Sequence, residues 1–141
     1  MTTSKAEAER LLNIVLPFAE QMLGEYGEFH PFGGALRTSG QFASISGYDG
    51  REHPPSRDTI DLLECGLRRE AAAGAYVATA LVYDVALKPK TATEPKDAIA
   101  IELEHRDGYC ATVYFPYRLT NGKAVLDDPF ATPDSREIFV R

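Results

Sequence analysis

Chemistry in a new sequence is sought first among histidines, cysteines and paired carboxylates, and here those residues are scattered. The three histidines are His30, His53 and His105. A zinc site wants His or Cys ligands at short spacing such as C-x2-C or H-x3-H. No such spacing occurs, so no metal is expected. The two cysteines, Cys65 and Cys110, fall in a predicted helix and a predicted strand. A distant pair of this kind points to two reduced, partly buried thiols on opposite sides of a sheet layer. Cys110 beside His105 would be the simplest nucleophile–base pair. Their even and odd positions on neighbouring strands should send the side chains to opposite faces.

Carboxylates are the next candidates. Glu102 and Glu104 are expected to share a face with Asp84 of the preceding strand. Carboxylates held close can divide acid and base roles, one of them with a raised pKa. The competing reading is a solvated face where Arg106, Arg118 and Lys88 partner them at little net energy. Gly33-Gly34 after His30 could form a backbone anion nest. However, neither G-x-G-x-x-G nor G-x-x-x-x-G-K-[ST] is present, and no helix starts after these glycines. Turn-type glycines are the simpler reading. No catalytic residue and no cofactor is assigned.

The elements that position these residues are easier to read. Ser4-Lys5-Ala6-Glu7 is a capping box. Behind it Ala8, Leu11, Leu12, Val15, Phe18, Ala19, Met22 and Leu23 recur at helical spacing. Pro17 predicts a kink or a fresh start in that helix, and Gly24 and Gly27 its end. A short hairpin follows, 35–38 with 42–46, turning at Ser39-Gly40. Gly47-Tyr48-Asp49-Gly50 and His53-Pro54-Pro55 predict a loop over 47–55. Ser56 caps a second helix whose stripe is Ile60, Leu63, Leu67 and Ala71, with Leu62 and Cys65 beside it; Gly74 ends it.

Three strands then alternate with period two, over 76–88, 98–106 and 109–119. Their odd positions (Leu81, Ile101 and Val113 among them) are expected to form the buried face. Arg106-Asp107-Gly108 and Asn121-Gly122 are tight turns, while 89–96 is a longer link. A further strand is expected near 124–126. The segment after Pro129 is expected to be a tail that packs back on the domain.

The fold class is therefore α+β: one domain over residues 1–141, with an antiparallel sheet of about five strands and two main helices on one face. The element order is α-β-β-α-β-β-β, which resembles profilin-like and roadblock-like sandwiches. Leu16-Pro17-Phe18-Ala19, Gly27-Glu28-Phe29-His30-Pro31-Phe32-Gly33, Asp97-Ala98-Ile99 and Tyr114-Phe115-Pro116-Tyr117 together resemble a group of small uncharacterised bacterial proteins. That resemblance implies an immunity-type or other small interaction protein and transfers no functional residue.

Composition narrows the partners. The chain is 141 residues long, 44% hydrophobic and 26% charged, with a net charge of -6, so it should bury a full core without staples. Scattered Lys and Arg under a net negative charge argue against nucleic-acid binding. Met1 to Arg10 lacks an apolar h-region, and no stretch is long and apolar enough for a membrane span, so a cytoplasmic location is expected.

The even positions of the three-stranded meander carry the most distinctive pattern: Tyr76, Ala78, Ala80, Ala98, Ala100, Thr112 and Tyr114. Rimmed by Asp84, Glu102, Arg106 and Arg118, this strip is expected to be a protein contact, most simply a homodimer interface; the competing reading is that residues 130–140 or the first helix fold over it within one chain. The chain therefore reads as a non-enzymatic binding module of immunity or adaptor type. The alternative is a small enzyme or ligand carrier with a pocket near Tyr26, His30, Phe32 and Tyr117, between the first helix and the sheet.

Overall fold

The computed structural model describes residues 4–46, 56–87, 96–133 and 138–139. The expected loop at 47–55 with His53, nearly all of the expected link at 89–96, and Lys88 lie outside them.

Helix α1 runs unbroken over Ser4–Tyr26, with Pro17 inside it. Its buried stripe is Ala8, Leu11, Val15, Ala19 and Leu23, the three- and four-residue spacing of one helical face. Gly27 closes it with φ 74 and donates its amide to the Leu23 carbonyl at 2.9 Å, the left-handed C-terminal cap that glycine adopts without strain. Strands β1 (Phe32–Arg37) and β2 (Phe42–Ser46) form a hairpin. Helix α2 spans Ser56–Ala72 and buries Ile60, Leu63 and Leu67. The meander is β3 (Tyr76–Leu87), β4 (Lys96–His105) and β5 (Cys110–Thr120). Strands β6 (Lys123–Leu126) and β7 (Phe130–Pro133) complete it.

Among the described residues all seven strands belong to one antiparallel sheet, in the order β2-β1-β3-β4-β5-β6, with β7 pairing β5 beside β6. The sheet thus exceeds the expected five strands. Of the two further strands, β6 falls where one is expected near 124–126, whereas β7 lies where Pro129 and Pro133 suggest a tail: an edge strand tolerates proline because one row of its amides needs no partner. At the β5–β6 turn Asn121 and Gly122 both take positive φ, 52 and 73, as a two-residue hairpin with the sheet's twist requires.

The helices do not share a face. Adjacent residues of β1 show this directly. A Cβ on Gly34 would meet Val15 of α1 and Phe42, each at 2.8 Å, while one on Gly33 would meet Leu67 of α2 at 3.7 Å. Since successive strand residues point to opposite faces, α1 and α2 lie on opposite sides of the sheet. Under α1 sit Leu36, Ala78, Ala80, Val82, Ile99 and Ile101. Under α2 sit Ala35, Tyr76 and Leu81. The expected two-helix, one-face arrangement fails because both faces of β3 are buried, so its alternation cannot tell inside from outside.

Candidate functional site

Register decides which side chains meet. Ala80 of β3 lies opposite Leu103 and Leu81 opposite Glu102, so even positions of β3 share a face with odd positions of β4. Between β4 and β5 odd faces odd, as in Ile101 opposite Val113. The expected odd face is therefore correct for β4 and β5 and inverted for β3. A bulge between Leu36 and Arg37 in the β1–β3 pairing skips Val77 and turns Tyr76 back toward α2, where it packs with Ala35 and Leu67.

This register splits the expected contact strip. Ala78 and Ala80 are completely buried in the core under α1. Tyr76, Ala98, Ala100, Thr112 and Tyr114 belong to the α2 face. Asp84 likewise parts from Glu102 and Glu104: it lies opposite Ile99, on the α1 face. The expected rim dissolves as well, since Arg118 stands 4.0 Å from Asp127 and Glu102 accepts from Tyr83.

Two clefts emerge instead. The first lies on the α2 face, about 340 Å³ in volume, and is lined by Arg57, Glu64, Tyr83, Glu102, Thr112, Tyr114 and Thr132. Its floor is organised by the Tyr83 hydroxyl, which donates to the Glu102 carboxylate at 2.6 Å, a short charge-assisted bond. Tyr114 stacks on Phe130 of the edge strand with ring centroids 5.1 Å apart, and Phe130 is 46% exposed. Arg57 pairs with Asp61 one helical turn on, at 2.8 Å.

The second cleft, about 310 Å³, is lined by Glu28, Phe29, His30, Asp84, Val85, Ala86 and Asp97. Tyr117, buried beneath it, donates to both oxygens of Asp84 at 2.9 and 3.0 Å. Burial raises the Asp84 pKa above its ordinary value; the Tyr117 hydrogen bond opposes this, and Asp97 and Glu28 add to it. Burial and the Asp84 carboxylate together push the Tyr117 hydroxyl well above the usual tyrosine value. Of the expected pocket residues, His30 lines this cleft and Tyr117 reaches it through Asp84, whereas Tyr26 is 72% exposed and Phe32 packs into the α1 core.

The remaining sequence candidates have structural partners. His105, 1% exposed, accepts the Asp107 amide on Nδ1 at 3.0 Å and meets Glu7 through Nε2 at 3.0 Å. With Nδ1 accepting, Nε2 carries the hydrogen and donates to Glu7, tying the first turns of α1 to the β4–β5 turn. Cys110 leaves the opposite face from His105, next to Glu104 in register. Both cysteines are free thiols, and Cys65 is exposed rather than partly buried, because it lies off the Ile60–Leu63–Leu67 stripe. Gly33 and Gly34 are strand residues under the two helices, not an anion cradle. Among the described residues no three His, Cys, Asp or Glu side chains gather closely enough to hold a metal ion, and no helix is long and apolar enough to cross a membrane.

Glu104 has an arrangement that sequence gave no reason to expect. Only 7% exposed, it accepts the Ile138 amide at 2.9 Å and the Phe139 amide at 3.4 Å. Arg57, Glu64 and Thr132 were also invisible as site residues, since only tertiary packing brings α2 and β7 to one cleft. No protein-family model, curated protein or solved structure matches this chain. The class defined by fold and clefts is thus an α+β domain with a helix on each side of an antiparallel sheet and polar–aromatic clefts on both faces.

Proposed function

We propose that this chain is a non-enzymatic protein-binding module of immunity or adaptor type, using the part of the α2 face around Tyr114 and Phe130. One observation carries the reading: a stacked, half-exposed aromatic pair stands beside a polar cleft on that face. Aromatic side chains supply large contact area at low entropic cost, and a polar rim supplies register. The net charge of -6 favours partners with a basic surface, whose approach it would speed.

The simplest form is a two-fold contact in which this patch meets itself. Sedimentation velocity of the wild type beside Phe130→Arg tests that form. A dimer at tens of micromolar that Phe130→Arg converts to a folded monomer supports it, and a wild type that stays monomeric at that concentration sinks it. Phe130 suits the test because it is exposed; Ala80→Arg would bury a charge in the core.

The second cleft favours a ligand-carrier or enzyme reading. His30 and Asp84 line it together, and Asp84 holds its proton to higher pH than an ordinary carboxyl. Small molecules that shift the NMR signals of His30 and Asp84, with those of Tyr83 and Tyr114 unmoved, would favour this reading.

A further inference from the structure

Strand β2 (Phe42–Ser46) ends the sheet, and among the described residues no strand pairs with its outer side. Its backbone polar groups alternate in direction. Arg37 donates to the Gln41 carbonyl at 2.8 Å, so this opposed pair is a hydrogen-bonded one. Along an antiparallel ladder such pairs alternate with non-bonded ones. Leu36 lies opposite Phe42, Ala35 opposite Ala43 and Gly33 opposite Ile45. Ala43 and Ile45 therefore turn their amides and carbonyls to β1, while Phe42, Ser44 and Ser46 turn theirs outward. Such a row is a template for another strand, and edges are ordinarily blunted by charge, proline or a bulge. The opposite margin of the sheet carries such devices: β6 opens on Lys123 and β7 closes on Pro133. Strand β2 lacks them. Phe-Ala-Ser-Ile-Ser is uncharged in a chain of net charge -6. It pairs with β1 without a register break, and its central residue, Ser44, is exposed.

We propose that β2 pairs antiparallel with β2 of a second copy across a two-fold axis at Ser44, joining the two sheets into one. The strand is self-complementary about this residue. Ser44 meets Ser44 of the second copy as a hydrogen-bonded pair, Phe42 comes opposite Ser46, and Ala43 opposite Ile45. The last pair sets a small side chain beside a large one on the α2 face, where each is only partly buried within one chain. In this register every outward amide faces an outward carbonyl, the main-chain bonding by which an added strand gains affinity; any other register leaves part of the row unpaired. A two-fold contact needs no second surface, and the uncharged seam lets two copies of an acidic chain approach. On the α1 face Phe42 stacks on Phe18 with ring centroids 6.4 Å apart, and Phe18 is 47% exposed, which gives the seam an apolar flank. The seam lies at the opposite margin of the sheet from Phe130, so it does not depend on the aromatic patch.

Sedimentation velocity of the full chain at tens of micromolar tests the pairing, and the wild type should be a dimer. Ser44→Pro removes an outward amide and spares the bonds to β1, a position where an edge strand accepts proline. It should stay folded by circular dichroism and dimerise at least about tenfold more weakly, through lost main-chain bonds. Ser44→Lys should be monomeric, because like charges directly opposite each other across two strands repel, and so should Ser44→Glu. The two mixed should dimerise again, a rescue that needs residue 44 of one copy opposite residue 44 of the other. A monomeric wild type overturns the proposal. So does a Ser44→Pro dimer as tight as the wild type's, or a mixture that stays monomeric beside a dimeric wild type. If Ser44→Pro does not fold, the charged pair and amide exchange decide. Dilution of the wild type should speed exchange at Phe42, Ser44 and Ser46 and leave Ala43 and Ile45 protected; an equal response of both sets overturns the pairing. Phe130→Arg should leave this dimer intact. A dimer that Phe130→Arg dissociates and Ser44→Pro does not belongs to the aromatic patch and overturns the β2 assignment, so the two contacts fail separately.

Discussion

At the scale of single residues, Gly33 and Gly34 are the most sensitive gauge of the fold. Neither has a positive φ, so space alone separates them. A Cβ at Gly34 would stand 2.8 Å from both Val15 and Phe42, whereas at Gly33 the nearest atoms are at 3.5 Å, ordinary contact. Gly34→Ala should therefore cost about 1–3 kcal/mol through overpacking. Gly33→Ala should be neutral or stabilise by up to ~1 kcal/mol, because alanine restricts the unfolded chain. Chemical denaturation of both variants checks this, and equal losses would mean that α1 does not press on Gly34. Asp84 gives a second test, on pH. Its pKa is raised in the folded state, so the stability it contributes is present below the ordinary carboxyl value and is lost as pH rises through the raised one. Asp84→Asn stays neutral and keeps an acceptor for Tyr117. It should be at least as stable as the wild type at neutral pH and lose the fall in stability across that window. An NMR titration that finds Asp84 at or below about 3.9 would contradict this.

At the scale of elements, opposite faces imply a particular pattern of energetic coupling. Leu63 of α2 packs with Leu81, whereas Ile101 belongs to the core under α1. Truncating each to Ala should cost about 2–4 kcal/mol, and half-buried Val113 rather less. Leu63→Ala and Leu81→Ala should be non-additive by about 0.5–1 kcal/mol or more, while Leu63→Ala and Ile101→Ala should add. The reverse pattern would return both helices to one face. The same elements show why the sequence was only partly legible. Both helices, the three glycine turns at Gly40, Gly108 and Gly122 and the inward set Ile99–Ile101–Leu103 are readable because capping, glycine turns and alternation are local signals. Across the tight Asp107-Gly108 turn parity carries over from β4 to β5. Between β3 and β4 eight residues intervene, too many for a spacing rule to carry parity across, and Val77 to Val82 is buried on both faces, so alternation does not reveal the face of Ala78 and Ala80. The bulge at Val77 then puts Val77 in the α1 core and Tyr76 on the α2 side, which no spacing rule anticipates. Candidate sites were less legible still: the Tyr83–Glu102 and Tyr117–Asp84 bonds follow from cross-strand register, and the Glu104 contact joins residues 34 and 35 positions apart.

At the scale of the molecule, the sheet is the shared wall of both cores. Strand β3 gives Ala78, Ala80 and Val82 to the α1 side and Leu81 to the α2 side, all nearly or fully buried. Neither core can open without stripping a face of the same strand and exposing its neighbours. The His105–Glu7 contact adds a tie between the N-terminal helix and the far end of β4, 98 residues along the chain. Such interdependence makes local unfolding of one helix expensive for the other, which is the condition for all-or-none behaviour. Unfolding should therefore be a single transition. Helix loss followed by far-UV circular dichroism should coincide with the change in tyrosine fluorescence, which has no tryptophan to obscure it. The calorimetric and van't Hoff enthalpies should also agree. The sharper version uses amide exchange. Amides of α1 and α2 that are buried against β3 should share one protection limit, set by global unfolding. If α2 exchanged through an opening that left α1 and β4 fully protected, the two cores would be separable units. In that case β3 would be held by α1 alone.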